Sequence, residues 1–197
     1  MTHKRRAALQ IVLGAVGLGL LAVPVVAVSQ SGAASADTLW TVLRLAALEA
    51  FTLVFANIVI GAFRPLFNRI MKPRTAHRLH VATGATGFFL AVAHATMRLV
   101  LGVAGYNRAF VWVGPAVLAV LALSMVVALA RRKLRRSWRW IHRLNYVVFA
   151  AVLVHGFRLG FDFGAASWLK IWFVVCAAVV AGGLVYRLIG PRKPVAR

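Results

Sequence analysis

Cysteine is almost absent from this chain: Cys176 stands alone among 197 residues, so no internal disulfide can form. It lies inside an apolar run and reads as a small packing residue. Acidic side chains number three, and only Glu49 falls inside an apolar run, which leaves few of the intramembrane carboxylates that ion-coupled transporters use. Charged residues make up just 14% of the chain against 62% hydrophobic, with a mean hydropathy of +0.84. A soluble domain with an aqueous surface does not have that balance, and the chain reads as an integral membrane protein. Sustained period-two alternation is also missing, which excludes a barrel and leaves helices to satisfy the backbone in lipid.

Six apolar segments are present, at about 8–28, 39–63, 79–101, 111–130, 139–159 and 168–189, each long enough to cross as a helix. The expected fold is therefore an all-α membrane protein, a six-transmembrane-helix bundle. That leaves no length for a soluble nucleotide-binding domain, so any pyridine nucleotide would be bound by another chain. The formal net charge of +21 does not indicate nucleic acid, because the basic residues fall in short runs at segment ends, where they orient helices. Lys4, Arg5 and Arg6 precede the first segment, and Arg64, Arg69, Lys72, Arg74 and Arg78 separate the second from the third. Arg131, Arg132, Lys133, Arg135, Arg136 and Arg139 separate the fourth from the fifth, and Arg187, Arg192, Lys193 and Arg197 close the chain. The opposite connections hold only Arg108 as a cation. A multi-pass protein of the cell membrane with both termini cytoplasmic is the expectation.

The organisation expected is an N-terminal membrane helix and outer loop over 1–38, a transmembrane domain over 39–189 and a basic cytoplasmic tail over 190–197. The first segment has a competing reading as a cleavable signal peptide, through HKRR, the apolar run and the small-residue site Ala34-Ser35-Ala36. Its apolar run is longer than a usual signal core, which favours a retained helix. Pro24, Pro65, Pro73, Pro115 and Pro191 are expected at or near segment ends.

Chemistry concentrates in histidines. His80 and His94 share the third segment and His142 and His155 the fifth, spaced 14 and 13 residues apart. At 1.5 Å of rise per residue those spacings are about 21 Å and roughly 19 to 20 Å. Both segments run outward, so His80 faces His142 near the cytoplasmic side and His94 faces His155 near the outer side. Intramembrane histidines are costly and functional by default, and imidazole suits iron. The four read as axial ligands of two haems, and no CxxCH run is present for covalent attachment. At about 100° per residue the first spacing returns to within about 40° of the same face, but the second misses by about 140°. Either the haems are approached from different sides or a π-bulge resets the phase. His77 is an alternate inner ligand.

Arg98 and Arg158 lie one turn beyond His94 and His155, Arg139 lies three residues before His142, and Arg44 lies at outer depth. All four are candidate partners for haem propionates, and Arg44 has Glu49 as an alternative partner. Snorkelling to the interface is the plainer account of any one arginine. Gly84, Gly87, Ala91 and Ala151 offer space for a macrocycle or simply close helix packing. Phe88, Phe89 and Phe149 lie at intermediate depth, between the porphyrins or as plain filling.

The pairs His80-x13-His94 and His142-x12-His155, with the run Trp138-x-x-Ile141-His142-x-Leu144-x-Tyr146, resemble the ferric-reductase-like transmembrane haem family. That family includes the membrane domains of iron reductases and NADPH oxidases and the haem subunit of bacterial periplasmic methionine sulfoxide reductase systems. The resemblance covers about residues 39–189 and implies a six-helix bundle, non-covalent b haems and electrons moving outward. The segment from His77 to His94, with Gly84, Phe88 and Phe89, is similar to the short methionine sulfoxide reductase subunits, which carry a basic residue where His80 stands here. That departure keeps a one-haem version open.

The reading is a cytochrome b subunit with membrane lipid as its environment and a cytoplasmic flavoprotein reductase or quinol as donor. Its acceptor lies on the outer side: ferric iron, oxygen or a periplasmic redox partner. A non-redox haem or cation transporter and a purely structural subunit are the competing classes.

Overall fold

In a computed structural model, residues 3–30, 37–102, 108–135 and 137–189 are described. The Ala34-Ser35-Ala36 site, Arg136 and the 190–197 tail lie outside them. The described residues form α1 (His3–Gln30), α2 (Thr38–Ala62), α3 (Arg64–Ile70), α4 (Pro73–Leu101), α5 (Arg108–Leu129), α6 (Arg131–Leu134), α7 (Trp138–Arg143), α8 (Asn145–Leu159), α9 (Asp162–Ala165) and α10 (Trp168–Ile189). The protein is an all-α membrane bundle, and among the described residues five helices (α1, α2, α4, α5 and α10) are long and apolar enough to cross.

The boundaries follow local chemistry. Asp37 caps α2, its Oδ1 accepting from the Leu39 N–H at 2.8 Å and the Trp40 N–H at 3.4 Å. Pro65 and Pro73 stand in the first turns of α3 and α4, where a missing N–H costs nothing. Gly102, at φ 81°, ends α4 in a conformation that favours glycine. Pro24 and Pro115, expected near segment ends, lie inside α1 and α5.

The fifth apolar segment is not one helix. It folds as α7 and α8, meeting at Leu144, whose N–H bonds back to the Ile141 carbonyl at 3.0 Å. The 15 residues of α8 rise about 22 Å, short of the ~30 Å hydrocarbon core, and α7 supplies the remainder. The Leu144 bond closes a three-residue turn, so the chain is overwound there and no π-bulge is formed. Overwinding advances the phase faster than 3.6 residues per turn, the direction that a 13-residue spacing requires.

Two antiparallel pairs build the bundle. Asn57 and Leu43 of α2 meet His80 and His94 of α4, and Ser124 and Phe110 of α5 meet His142 of α7 and His155 of α8. One end of the bundle thus carries the basic connections, and the other holds His94, His155 and α9. Between the pairs, Phe51 stacks on Phe173 of α10 at 4.0 Å and on Phe149 of α8 at 5.3 Å. Cys176 is fully buried in the same core, the packing role its surroundings suggested. Two long-range bonds tie α1 to the bundle: Gln10 Nε2 donates to the Ile70 carbonyl at 2.8 Å, and Trp168 Nε1 donates to Gln30 Oε1 at 2.7 Å.

Lipid removes the hydrophobic drive between helices, so close backbone approach matters more than in water. Gly87 supplies it, with a Cβ there standing 3.3 Å from the Val54 backbone nitrogen. A Cβ at Gly84 would stand 2.7 Å from Asn57 Nδ2, the group that donates to the His80 carbonyl. Gly84→Ala is therefore expected to destabilise by about 1–3 kcal/mol through overpacking, read as a lower melting temperature in detergent. An unchanged melting temperature would mean that α2 and α4 are not clamped there.

Candidate functional site

The four histidines meet in the pairs that their depths suggested. At the basic end the His80 and His142 rings touch edge to face, with centroids 5.9 Å apart and planes at 77°. The Trp138 ring adjoins His142 at 5.6 Å. His80, and not His77, makes this contact. At the opposite end His94 and His155 line one cavity of about 670 Å³, within the range of cofactor pockets. It runs among α2, α4, α5 and α8, with Asp162 and Phe163 of α9 and Leu169 and Phe173 of α10 also in its wall.

Every one of these imidazoles is anchored through Nδ1. His80 bonds the Asn57 carbonyl at 3.1 Å, His94 the Leu43 carbonyl at 3.3 Å, and His155 the Phe110 carbonyl at 2.9 Å. A carbonyl can only accept, so Nδ1 carries the proton and Nε2 keeps its lone pair, the tautomer of a ring ready to bind a metal. His142 bonds the Ser124 hydroxyl at 3.0 Å. Thus α2 orients both α4 histidines, and α5 orients both of those on α7 and α8. His142 and His155 consequently share a side of their segment despite the 13-residue spacing. Among the described residues no three His, Cys, Asp or Glu side chains cluster, so the arrangement suits paired imidazoles on a cofactor better than a bare ion.

The arginines divide. Arg44 and Arg98 line the cavity. Arg98, half-buried, lies over the Trp40 ring at 5.2 Å. Arg44 is buried and paired with Asp162 of α9, its Nε donating to Oδ1 at 3.0 Å, which replaces the suggested Glu49 pairing. Arg158 is exposed over the Phe110 ring at 4.9 Å and does not line the cavity. Arg139 is exposed at the basic end.

Small and aromatic residues behave unevenly. Ala91 and Phe88 line the cavity, whereas Gly84 and Gly87 face α2, Ala151 is not in the lining, Phe89 is exposed and Phe149 belongs to the core. Sequence reasoning did not single out Asn57, Ser124, Gly114 or Asp162. For Asn57 and Ser124 the available signal was a polar side chain within an apolar run.

No family model matches the chain, and no solved structure matches it. Over 188 aligned residues, covering 85% of this chain and 78% of each relative, it is 29% identical to proteins of Brucella ovis, Brucella canis and Brucella suis. Across most of its length the chain is similar to a protein-methionine-sulfoxide reductase heme-binding subunit, MsrQ.

Proposed function

We propose that this chain is a membrane electron-transfer subunit that holds a b-type haem between His94 and His155. The observation that carries the reading is the cavity those two rings share, each ring with Nδ1 tied to a backbone carbonyl and Nε2 left for iron. Its relatives' heme-binding role in methionine sulfoxide reductase supports it. The residues fit the group: the lining is mostly apolar, and Arg44 and Arg98 provide cations for propionates. His94 and His155 would hold the haem, which would supply single-electron transfer there without binding a substrate.

The chain's own residues do the rest. Leu43 and Phe110 fix ring orientation through their carbonyls, Asp162 holds Arg44 in the cavity wall, and the Phe51, Phe149 and Phe173 core excludes water from below. The basic end faces the cytoplasm on charge grounds. Electrons enter there from a flavoprotein reductase or quinol and leave at the α9 end to a redox partner. Arg139 and Arg158, both exposed, are placed to snorkel and are weaker candidates for propionate contact.

A second haem between His80 and His142 is favoured by one observation, the matching Nδ1 anchors on Asn57 and Ser124. The single-haem form is favoured by the direct ring contact at that level.

Proteoliposomes loaded with ferricyanide and given a membrane-impermeant reductant outside test the function. Reduction of the enclosed ferricyanide, dependent on the protein and on haem supplied during expression, is the expected result. Leak-level reduction in vesicles carrying haem-loaded protein would sink the electron-transfer reading.

A further inference from the structure

The rings of His155 and His80 each lie against a glycine on a neighbouring helix. A Cβ at Gly114 of α5 would stand 3.1 Å from His155 Cε1 and 3.6 Å from its Nε2, and one at Gly61 of α2 would stand 3.3 Å from His80 Cε1. Cε1 joins the two ring nitrogens, so a contact at that atom governs the rotation that aims Nε2. His155 Nδ1 is also tied to the Phe110 carbonyl at 2.9 Å, one turn before Gly114 on the same helix. The ring is thus held at two points by one turn of α5. It cannot yield to a methyl group without stretching the Phe110 bond or turning Nε2 away.

We propose that Gly114 is a ligand-positioning residue: its missing side chain seats the His155 ring so that Nδ1 reaches Phe110 while Nε2 serves the cavity. The inference rests on the reading that His155 ligates a haem. Gly61 seats His80 in the same manner, with a looser contact. The glycine at 87 provides the contrast, because its Cβ would be as crowded, 3.2 Å from Leu53 Cβ, yet its nearest neighbours are Leu53 and Val54.

The test compares wild type, Gly114→Ala and Gly87→Ala, each purified in detergent, for haem content and for carbon monoxide binding by the reduced protein. Alanine favours helix, so α5 should persist. Gly114→Ala should retain haem at least about tenfold less tightly, the scale on which partners of metal-bound histidines act, and its remaining haem should bind carbon monoxide. Wild type and Gly87→Ala should hold six-coordinate haem that does not bind it, whatever Gly87→Ala costs in melting temperature. Gly114→Ala with wild-type haem content and no carbon monoxide binding would overturn the assignment while leaving His155 ligation intact. Wild type without haem would remove the underlying reading, and the assignment with it. Should Gly114→Ala not survive purification, the same spectra are taken in unpurified membranes: carbon monoxide binding by the variant but not by wild type supports the seat, and identical spectra overturn it.

Discussion

His94→Ala should empty the cavity of haem and stop electron passage while the protein still inserts and folds. The ring supplies one of two iron ligands in the proposed site, and its Nδ1 bonds the Leu43 carbonyl of α2 at 3.3 Å. Loss of an outer-shell partner of a metal-bound histidine costs about 10–100-fold, and loss of the ligand itself should exceed that. Alanine is the best helix former, so α4 survives, and its Gly87 contact with α2 lies two turns away. Haem content and electron passage are read together with melting temperature. Unaltered haem content in a folded His94→Ala protein would break the pairing of His94 with His155.

Asp162→Ala is expected to cost about 3–5 kcal/mol, because it removes one partner of a buried ion pair. Both side chains are 7% exposed, and the pair bridges 118 residues, from α2 to α9. The desolvation cost of the Arg44 charge would remain after its carboxylate is gone. Replacing both residues together, Arg44→Leu with Asp162→Leu, should recover most of that loss, since an apolar pair of similar volume carries no charge to desolvate. Chemical denaturation in detergent checks both. A double variant no more stable than Asp162→Ala would show that the two groups do not act as a pair.

The pairing of the histidines was legible because spacing fixes depth on a helix, and four rings at two matched depths leave few other arrangements. Which way a small residue faces is another matter. Gly84 and Gly87 stand close to His80 in sequence, but the fold turns both toward α2, and Gly114, far from any histidine in sequence, is the one against His155. Spacing along one helix carries no information about the neighbour opposite. The same limit hid Asp162, which lies in a short connection and finds Arg44 across 118 residues. The 13-residue phase conflict was visible in advance, but its resolution at Leu144 depends on a single i→i−3 bond that no residue type there demands.

A reduced-minus-oxidised difference spectrum of the purified protein, with haem quantified against protein, tests the central claim most directly. Expression with ample haem should give a b-type spectrum with at least one haem per chain. Two haems per chain would extend ligation to His80 and His142, and one would restrict it to the cavity between His94 and His155. A colourless protein under those conditions would contradict the account.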